Sequence, residues 1–353
     1  MVYTKHPAVD LPFLTSCVPA IELELRSVPE DFEVEEIPVY APSGDGDHVF
    51  AFIEKRGLTT PDAVRAVCAC VGADPNAAGW AGLKDRHALT RQWISVWGAD
   101  LDAVRSAEVD GVRVLQAALH PQKLRTGHLK ANRCRLRLRQ FEAGRIDDLR
   151  RTLSLIEADG LPNYYGEQRF GRDGDNASRA LRWVLGKDRA PRSAFHRKLQ
   201  LSALQSELFN RCVAERVQTS TLGKVFPGDI IKKHDSGGVF IPEDLAEAQA
   251  RADAWEISPT GPMFGPKMRW PEGAARAREE AILAQGGLRL EHLARWKRSA
   301  PGSRRFVRVP LRGVGVSVSG NTVTLEFTLP AGSYATILVR EIRKRDASPP
   351  KTG

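Results

Sequence analysis

The segment NRCRLRLR at residues 132–139 alternates polar and apolar side chains without interruption. Because successive side chains of a strand point to opposite faces of a sheet, this period of two predicts a β-strand. One face of the strand carries the four arginines of the segment, and the other carries Cys134, Leu136 and Leu138. The segment therefore predicts a strand with one charged face and one apolar face.

Further strand signals lie on both sides of this segment along the chain. Residues 21–40 (IELELRSVPEDFEVEEIPVY) alternate on both sides of a turn at Pro29, which predicts a strand, a turn and a second strand. Residues 314–329 (VGVSVSGNTVTLEFTL) alternate around a turn at 319–321, which predicts a hairpin. The remaining predicted strands are residues 93–97 and 306–311.

Helical patterns concentrate between residues 145 and 305, with one helix before this region and one after it. Thr60 and Pro61 open the earlier helix, since threonine can cap a helix and proline suits its first position. Ser333 is predicted to cap the last helix, residues 334–342. Within the central region the predicted helices are residues 147–159, 176–185, 203–219, 244–255 and 273–285.

The order of strand-rich, helix-rich and strand-rich regions predicts an α+β fold, in which a mainly helical domain is inserted into a sheet domain. The predicted sheet domain comprises residues 1–159 and 306–342, and the predicted insertion comprises residues 160–305. A length of 353 residues agrees with two domains, since single cores stop growing near about 250–300 residues. The basic tail at 343–353 contains two prolines and is predicted to be disordered.

Composition limits the class of protein. Apolar residues make up 42% of the chain and charged residues 27%, which is typical of a globular protein and excludes a mainly disordered one. No apolar run approaches the roughly 20 residues of a membrane helix, and the N-terminus lacks the basic start of a signal peptide. The five cysteines are scattered and form no CxxC pair, which indicates reduced thiols in the cytoplasm and no metal site.

The net charge of +9 conceals strongly charged segments. Residues 22–54 contain ten acids and one base, residues 123–151 contain ten bases and three acids, and residues 289–312 contain eight bases and one acid. A concentrated basic segment indicates a polyanionic partner such as a nucleic acid. The alternative for each segment is a solvated charged face, and two such segments favour the nucleic-acid interpretation.

Asp85 is the best candidate for a catalytic residue. It lies in a polar, turn-like segment between Lys84 and Arg86. Nearby cations favour an ionised carboxylate, which can act as a nucleophile. The alternative is that this aspartate caps a neighbouring backbone N–H, the commoner role of an aspartate in a turn.

A second segment of interest is LPNYYGEQRFG at residues 161–171. Its aromatic rings alternate with hydrogen-bonding groups, among them Gln168 and Arg169, a mixture that binds unstacked RNA bases. The alternative is a buried aromatic turn at a domain hinge, and composition does not separate the two.

Taken together, these segments resemble the motifs of the TruD-type tRNA pseudouridine synthases. The resemblance centres on WAGLKDRHALTRQW at residues 80–93 and covers nearly the whole chain in collinear order. The other matching segments are PEDFEVEE at 29–36, HLKANRCRLRLR at 128–139, GLPNYYGEQRFGRDGDN at 160–176, LSALQSELFN at 201–210 and LPAGSYATILVREI at 329–342.

The resemblance implies a pseudouridine-synthase catalytic sheet domain with an inserted mainly helical domain, in agreement with the partition predicted from the residues. It implies isomerisation of uridine to pseudouridine at position 13, in the D arm of tRNA. An isomerisation gains and loses no atoms or electrons overall, so we expect no cofactor and no metal. The implied partner is tRNA, and a cytoplasmic monomer without a membrane or protein partner is expected.

The resemblance also assigns roles to individual residues. It implies that Asp85 is the nucleophile, that Phe32 lines the uridine site, that Asn132 contacts the uracil edge through its amide, and that the ring of Tyr334 packs on the uridine. Two cations are assigned to holding the carboxylate ionised or to binding the RNA backbone: Lys84 and Arg26.

Two residues depart from the family pattern, which commonly has phenylalanine at both positions. Tyr334 adds a hydroxyl that can take part in removing the C5 proton, although the plainer interpretation is that its ring only packs. Cys134 replaces a ring by a small side chain, and it is either a reactive thiol or, more commonly for such a residue, a buried inert one.

Three other functions remain open at this point. The first is the same chemistry on another RNA, and the second is a non-catalytic RNA-binding protein on the same scaffold. The presence of Asp85 in its full motif speaks against the second, since binding alone needs no nucleophile. The third is a hydrolase that uses Asp85 and His87, which no serine or cysteine nucleophile motif supports.

Overall fold

The alternating segment 132–139 lies within a strand, which confirms the prediction. The computed structural model describes residues 11–25, 27–171 and 173–345. Its strands are, in chain order, β1 (Glu24–Leu25), β2 (Phe32–Pro38), β3 (His48–Lys55), β4 (Gly79–Trp80), β5 (Leu89–Trp97), β6 (Val112–His120), β7 (Leu129–Arg139), β8 (Leu161–Pro162), β9 (Ile231–Lys233), β10 (Val239–Phe240), β11 (Ile257–Met263), β12 (Ser303–Phe306), β13 (Arg308–Val309), β14 (Arg312–Ser319) and β15 (Thr322–Pro330). Its α-helices are α1 (Thr60–Cys70), α2 (Leu101–Arg105), α3 (Ile146–Asp159), α4 (Asn176–Val184), α5 (Ala194–Gln218), α6 (Leu245–Asp253), α7 (Gly273–Gln285), α8 (Leu290–Ala294) and α9 (Ala335–Arg343). Short 3₁₀ turns occur at Pro29–Asp31, Ala143–Arg145 and Glu167–Phe170.

The chain divides into two compact units. One, here called the sheet unit, contains residues 21–149 and 311–333, apart from residue 26, which lies outside the described residues. The other, here called the helical unit, contains residues 11–20, 150–310 and 334–345, apart from residue 172.

These units assign residues 11–20, 150–159, 306–310 and 334–342 to the helical unit, whereas the sequence placed them in the sheet domain. The units are defined by which residues contact one another, whereas the predicted domains are defined by function. The predicted domain boundaries therefore stay a prediction. Of the predicted tail at 343–353, residues 346–353 lie outside the described residues.

The sheet unit is built on one large mixed sheet with the order β14-β15-β7-β2-β5-β3-β6. Along this path the pair β2 and β5 is parallel, and the other pairs are antiparallel. Both β1 and β2 pair with β7, rather than with each other as a strand–turn–strand hairpin would. The predicted hairpin at 314–329 is confirmed by β14 and β15, with Gly320 in the left-handed conformation at its turn.

One face of the sheet supports a hydrophobic core. Alternate residues of β3 (Val49, Ala51 and Ile53) pack with the apolar face of α1, which includes Val64 and Val67, and all five are buried. This alternation would place Lys55 on the same face. The core-facing row of β3 therefore ends in a charged side chain.

Helix α1 begins differently from the prediction. Thr59, not Thr60, is the N-cap, and its side chain accepts a hydrogen bond from the backbone N–H of Asp62. Thr60 is the first helical residue, and its hydroxyl donates to Oε1 of Gln92 on β5 at 2.8 Å. Pro61 lies in the first turn as expected, because proline there gives up no intrahelical hydrogen bond.

The helical unit combines the small sheet β10-β9-β11-β12, the strand pair β8 and β13, and most of the helices. The predicted helices at 147–159, 176–185, 244–255 and 273–285 are confirmed to within two residues at each end. Residues 306–311 form no single strand: β12 ends at Phe306 and β13 covers only two residues.

Two helix starts in the helical unit correct the predictions. Helix α5 begins at Ala194, nine residues before the predicted start, and Ser193 caps it by accepting from the N–H of His196. Helix α9 begins after Tyr334 without a side-chain cap, and the Ser333 hydroxyl makes no hydrogen bond within the described part of the chain. Ser333 is therefore not the predicted cap.

Among the described residues, no helix is both long enough and apolar enough to cross a membrane.

Candidate active site

Asp85 lies in the loop between β4 and β5, and buried polar side chains hold the backbone of this loop. The N–H of Lys84 donates to the Thr60 hydroxyl at 2.9 Å, and that hydroxyl donates onward to Gln92. The amide of Gln92 in turn donates to the carbonyl of Gly82 at 3.1 Å. Because Thr60 and Gln92 are both fully buried, these bonds fix the loop to the core of the sheet unit.

Lys55, the last residue of β3, holds the same loop through hydrogen bonds to backbone carbonyls. Its ammonium group donates to the backbone carbonyls of Asp85 and Leu58, both at 2.8 Å. Lys55 is fully buried, and this burial lowers the pKa of its ammonium group to about 8, an effect that the Asp85 charge opposes and the Lys84 charge reinforces. Lys55 therefore places a positive charge and a hydrogen-bond donor beside the candidate nucleophile.

The Asp85 carboxylate accepts a hydrogen bond from the backbone N–H of His87 through Oδ1 at 3.0 Å. Asp85 thus caps a neighbouring backbone N–H, as the alternative interpretation of this residue predicted. The side chain is half-buried, so it also remains accessible from solvent. The ring of His87 makes no hydrogen bond within the described part of the chain, and nothing here forms the Asp85–His87 pair that a hydrolase would use.

Lys84 forms a buried ion pair beside this loop. Its Nζ lies 2.8 Å from Oε2 of Glu36, and the exposed fractions of the two side chains are 6% and 0%. Burial raises the pKa of the Glu36 carboxyl, and the Lys84 charge works in the opposite direction. The ion pair therefore attaches the side chain of this loop residue to β2.

Asn132 lies next to this ion pair, because Asn132 on β7 is directly opposite Glu36 on β2. Two buried oxygens in this part of the sheet have no hydrogen-bond partner among the described residues: Oδ1 of Asn132 and Oγ1 of Thr90. A buried acceptor without a donor is costly, so such atoms mark a place where a ligand can bind. Acceptors of this kind match the N–H groups of a uracil edge.

Phe32 and Cys134 lie on the apolar rows of the same strands. Phe32 is buried at the start of β2, opposite Leu136. Cys134 is 3% exposed, and its burial raises the pKa of the thiol to about 12, with Lys84 acting weakly in the other direction. A thiol with this pKa is protonated at neutral pH, which favours the inert interpretation of Cys134.

Tyr334, Gln168 and Arg169 belong to the helical unit. The Tyr334 ring lies 6.0 Å from the Tyr165 ring, and the Arg305 guanidinium lies 4.2 Å from the centre of Tyr165. Burial raises the pKa of the Tyr334 phenol, whereas the Arg305 charge lowers it. The phenol is therefore uncharged near neutral pH.

The aromatic segment 161–171 contains a buried turn. Tyr164 and Tyr165 are buried, and the Asn210 side chain forms hydrogen bonds with both the N–H and the carbonyl of Tyr165. Arg169 packs over the Tyr165 ring at 5.1 Å, and Gln168 is exposed. The two tyrosines thus agree with the alternative of a buried aromatic turn. The exposed residues of the segment come after them, at Glu167 and Gln168.

The structure groups Asp85, Lys84, Phe32, Asn132 and Cys134 within the sheet unit. Arg26, the remaining cation of the prediction, lies outside the described residues. Sequence reasoning missed the buried polar groups Lys55, Glu36, Thr60, Gln92 and Thr90. A signal for one of them was present, because Glu36 takes the next position in the alternating row that Phe32 and Val34 begin on β2.

The arginine face of β7 is neutralised by carboxylates of the acidic N-terminal segment and of β15. Each arginine pairs with a carboxylate of its own or a neighbouring element: Arg133 with Glu35 at 3.0 Å, Arg135 with Glu326 at 3.4 Å, Arg137 with Glu33 at 3.0 Å and Arg139 with Asp31 at 2.8 Å. The oppositely charged segments of the sequence thus meet across paired strands. This face carries little of the surplus positive charge that the sequence placed on it.

Part of the second basic segment faces inward as well. Arg304 forms a buried ion pair with Glu279 at 2.6 Å, and Arg308 is buried with its guanidinium 4.2 Å from the centre of the Trp255 ring. Arg305 stacks on Tyr165. These three arginines support the interior of the helical unit and do not form a surface for a polyanion.

Comparisons with known proteins agree with this architecture. A family model described as tRNA pseudouridine synthase D (TruD) matches residues 8–188 and 193–342. A tRNA pseudouridine synthase D from Anaeromyxobacter dehalogenans is 42% identical over 97% of this chain and 99% of its own length. The corresponding protein from Thermus thermophilus is 44% identical over 95% of this chain and 93% of its own length.

A solved structure supports the fold. The crystal structure of a Methanosarcina mazei protein, described as a TruD candidate, matches with a TM-score of 0.75 over 95% of this chain and 96% of that one. At 21% identity this likeness concerns the fold alone, and it confirms the α+β class. Because the family model and the relatives cover nearly the whole chain, the protein belongs to the tRNA pseudouridine synthase D (TruD) family.

Proposed function

We propose that this protein isomerises uridine to pseudouridine at position 13 of tRNA, with Asp85 as the nucleophile. Its relatives carry the name tRNA pseudouridine synthase D, which supports an isomerase acting on tRNA. The observation that carries the proposal is the Asp85 loop, which Lys55, Thr60 and Gln92 hold beside the buried pair Lys84–Glu36.

Substrate binding begins with the target uridine leaving its stack, at a cost of about a few kcal/mol that contacts in the site offset. Phe32 and Tyr334 hold the base by packing, and the amide of Asn132 accepts from or donates to the uracil edge. These roles follow from the family resemblance. The unpartnered Oδ1 of Asn132 supports its role, since a uracil N–H would satisfy that atom.

The chemical step is a rearrangement in which Asp85 attacks the ribose or the base covalently. The bond between C1′ and N1 breaks, the uracil turns over, and a bond forms between C1′ and C5. C5 loses a proton and N1 gains one, so atoms and electrons balance. Asp85 is released unchanged, and the step requires no oxidant or reductant.

Lys55 prepares Asp85 for this step. The buried ammonium fixes the Asp85 backbone through its carbonyl and places a positive charge close to the carboxylate that acts as the nucleophile. Lys84 adds a second positive charge in the same loop, where it forms an ion pair with Glu36. Arg26, Gln168 and Arg169 stay predicted contacts to the RNA.

The test is incubation of the purified protein with an unmodified tRNA transcript that has uridine at position 13, followed by site mapping of pseudouridine. A matched transcript with cytidine at that position is the control. We expect pseudouridine at position 13 in the first transcript only. Product at another uridine, or only in another RNA, would indicate the same chemistry with a different target, and binding without product would indicate a non-catalytic protein.

A further inference from the structure

Residues 186–198 (GKDRAPRSAFHRK) form an exposed basic segment of the helical unit that the proposed chemistry does not use. The segment connects α4 to α5 and includes the first turn of α5. It contains five bases and a single acid, and most of its residues are exposed. The five bases are Lys187, Arg189, Arg192, Arg197 and Lys198.

The charge of this segment is not neutralised. Its only acid, Asp188, already accepts two hydrogen bonds from Arg182, at 2.5 and 3.0 Å. Within the part of the chain that the structure describes, Arg189, Arg192 and Lys198 have no carboxylate within 4 Å. This contrasts with the arginine face of β7, where every guanidinium has an acidic partner.

An exposed aromatic ring lies within the same segment. Phe195, in the first turn of α5, is 70% exposed, and its ring lies nearly perpendicular to the neighbouring His196 ring, with the ring centres 5.5 Å apart. Burying a phenylalanine side chain is worth about 1.5–3 kcal/mol, so a ring left in water forgoes this stabilisation. A flat ring among bases is the arrangement on which nucleic-acid bases stack.

Neighbouring residues of the helical unit extend the basic surface at the end of α4. The Arg295 side chain donates to the carbonyls of Trp183 and Val184, and the Trp296 ring packs edge-on against Trp183 at 4.8 Å. The two residues that follow Trp296 in the chain are exposed bases: Lys297 and Arg298.

We propose that residues 186–198 form a docking surface for tRNA, in which the bases bind backbone phosphates and Phe195 stacks on an unpaired base. The proposal rests on the proposed function in taking tRNA as the partner. In both basic segments singled out in the sequence, residues 123–151 and 289–312, many of the arginines form ion pairs with carboxylates of this chain or are buried. The 186–198 surface keeps its charge available to a polyanion.

The experiment measures tRNA binding at salt concentrations between about 50 and 200 mM for the wild type and four variants. In the triple variant Arg189→Gln/Arg192→Gln/Lys198→Gln, we expect at least about tenfold weaker binding and a salt slope reduced by about two to three, since each phosphate contact contributes about 0.9. In Phe195→Ala, we expect about tenfold weaker binding with an unchanged slope, because stacking involves no counterion release, and Phe195→Trp should restore binding. The matched control Arg133→Gln/Arg135→Gln removes exposed but paired arginines and should bind like the wild type.

Unchanged affinity and slope in the triple variant would overturn the proposal. The same conclusion would follow if the triple variant lost binding to heparin, used here as an unrelated polyanion, but bound tRNA like the wild type. Pseudouridine formation is measured separately on the same proteins. If the wild type forms no pseudouridine but the variants lose tRNA binding, the surface stands and the proposed function fails. If the wild type forms pseudouridine and the variants bind tRNA normally, the function stands and the surface fails.

Discussion

The buried ion pair between Lys84 and Glu36 allows a quantitative prediction about the candidate active site. In Lys84→Met, the side chain keeps its length but the cation 2.8 Å from the Glu36 carboxylate is lost. With exposed fractions of 6% and 0%, neither group can turn to solvent without a change in the fold. Breaking a buried pair by removing one partner costs about 3–5 kcal/mol, because the remaining charge is uncompensated.

The cost should depend on pH through Glu36. Burial already raises the pKa of this carboxyl above its usual 4.5, and loss of Lys84 raises it further. A raised pKa in the folded state favours folding below the pKa of the unfolded chain, and this contribution is lost as pH rises through the folded pKa. The variant should therefore lose the full 3–5 kcal/mol at about pH 8 and clearly less at about pH 5.5, where Glu36 can take up a proton.

The assay is urea unfolding of the wild type, Lys84→Met and Lys84→Met/Glu36→Gln at both pH values. The double variant removes both charges and should recover most of the lost free energy of unfolding at the higher pH. An equal loss at both pH values, or no recovery in the double variant, would show that an uncompensated Glu36 charge is not the cause of the destabilisation.

Three further predictions concern the same unit and the thiols. In Lys55→Met, the rate of pseudouridine formation should fall about ten- to hundredfold with tRNA binding retained, and the decrease of the wild-type rate as pH rises through about 8 should disappear; single-turnover rates across this pH range test both points. Iodoacetamide should modify the exposed Cys17 and Cys70 but not Cys134, whose pKa is about 12, until denaturant is added, as peptide mass spectrometry would show. Gly79→Ala would place a methyl group 2.2 Å from a backbone carbonyl oxygen, and thermal unfolding should show a loss of about 1–3 kcal/mol, whereas an unchanged melting temperature would contradict that close contact.

The sequence predicted the elements whose side chains alternate cleanly. The arginine segment of β7 and the hairpin of β14 and β15 follow period-two patterns, and both were identified. Strands β3 and β6 gave no such signal: β3 (HVFAFIEK) is apolar on both faces over most of its length, and its pairing with β6 contains a register shift between Phe52 and Ile53. Their place in the sheet follows from tertiary pairing, which a single sequence does not contain.

The start of α5 was missed for a related reason. Its first two turns, from Ala194, are mostly exposed and include the bases Arg197 and Lys198, so they lack the apolar face from which a helix is recognised. The partners of the charged segments were equally hidden. Only the strand register shows that Glu33 and Glu35 lie opposite Arg135 and Arg133.

Within the candidate site, the sequence supplied Asp85 and its neighbours, whereas the groups that support them come from distant segments. Lys55 lies thirty positions before Asp85, and Glu36 lies forty-eight before Lys84. Such groups are visible in the sequence only as polar residues at core-facing positions. On β2 the alternation of apolar and charged residues ends at Glu36, and on β3 the apolar run ends before Lys55, so neither residue continues its pattern.

The role of the Asp85 carboxylate as the nucleophile is tested most directly by a single-turnover assay of Asp85→Asn on tRNA labelled with tritium at C5 of uridine. An asparagine keeps the size of the side chain and an oxygen that can accept from the His87 N–H, so the loop should be retained. The matched control is Asp45→Asn, in an exposed loop of the same unit. We predict tRNA binding within about twofold of the wild type and no tritium release for Asp85→Asn, with normal release for the control. Substantial tritium release and pseudouridine formation by Asp85→Asn would contradict the account.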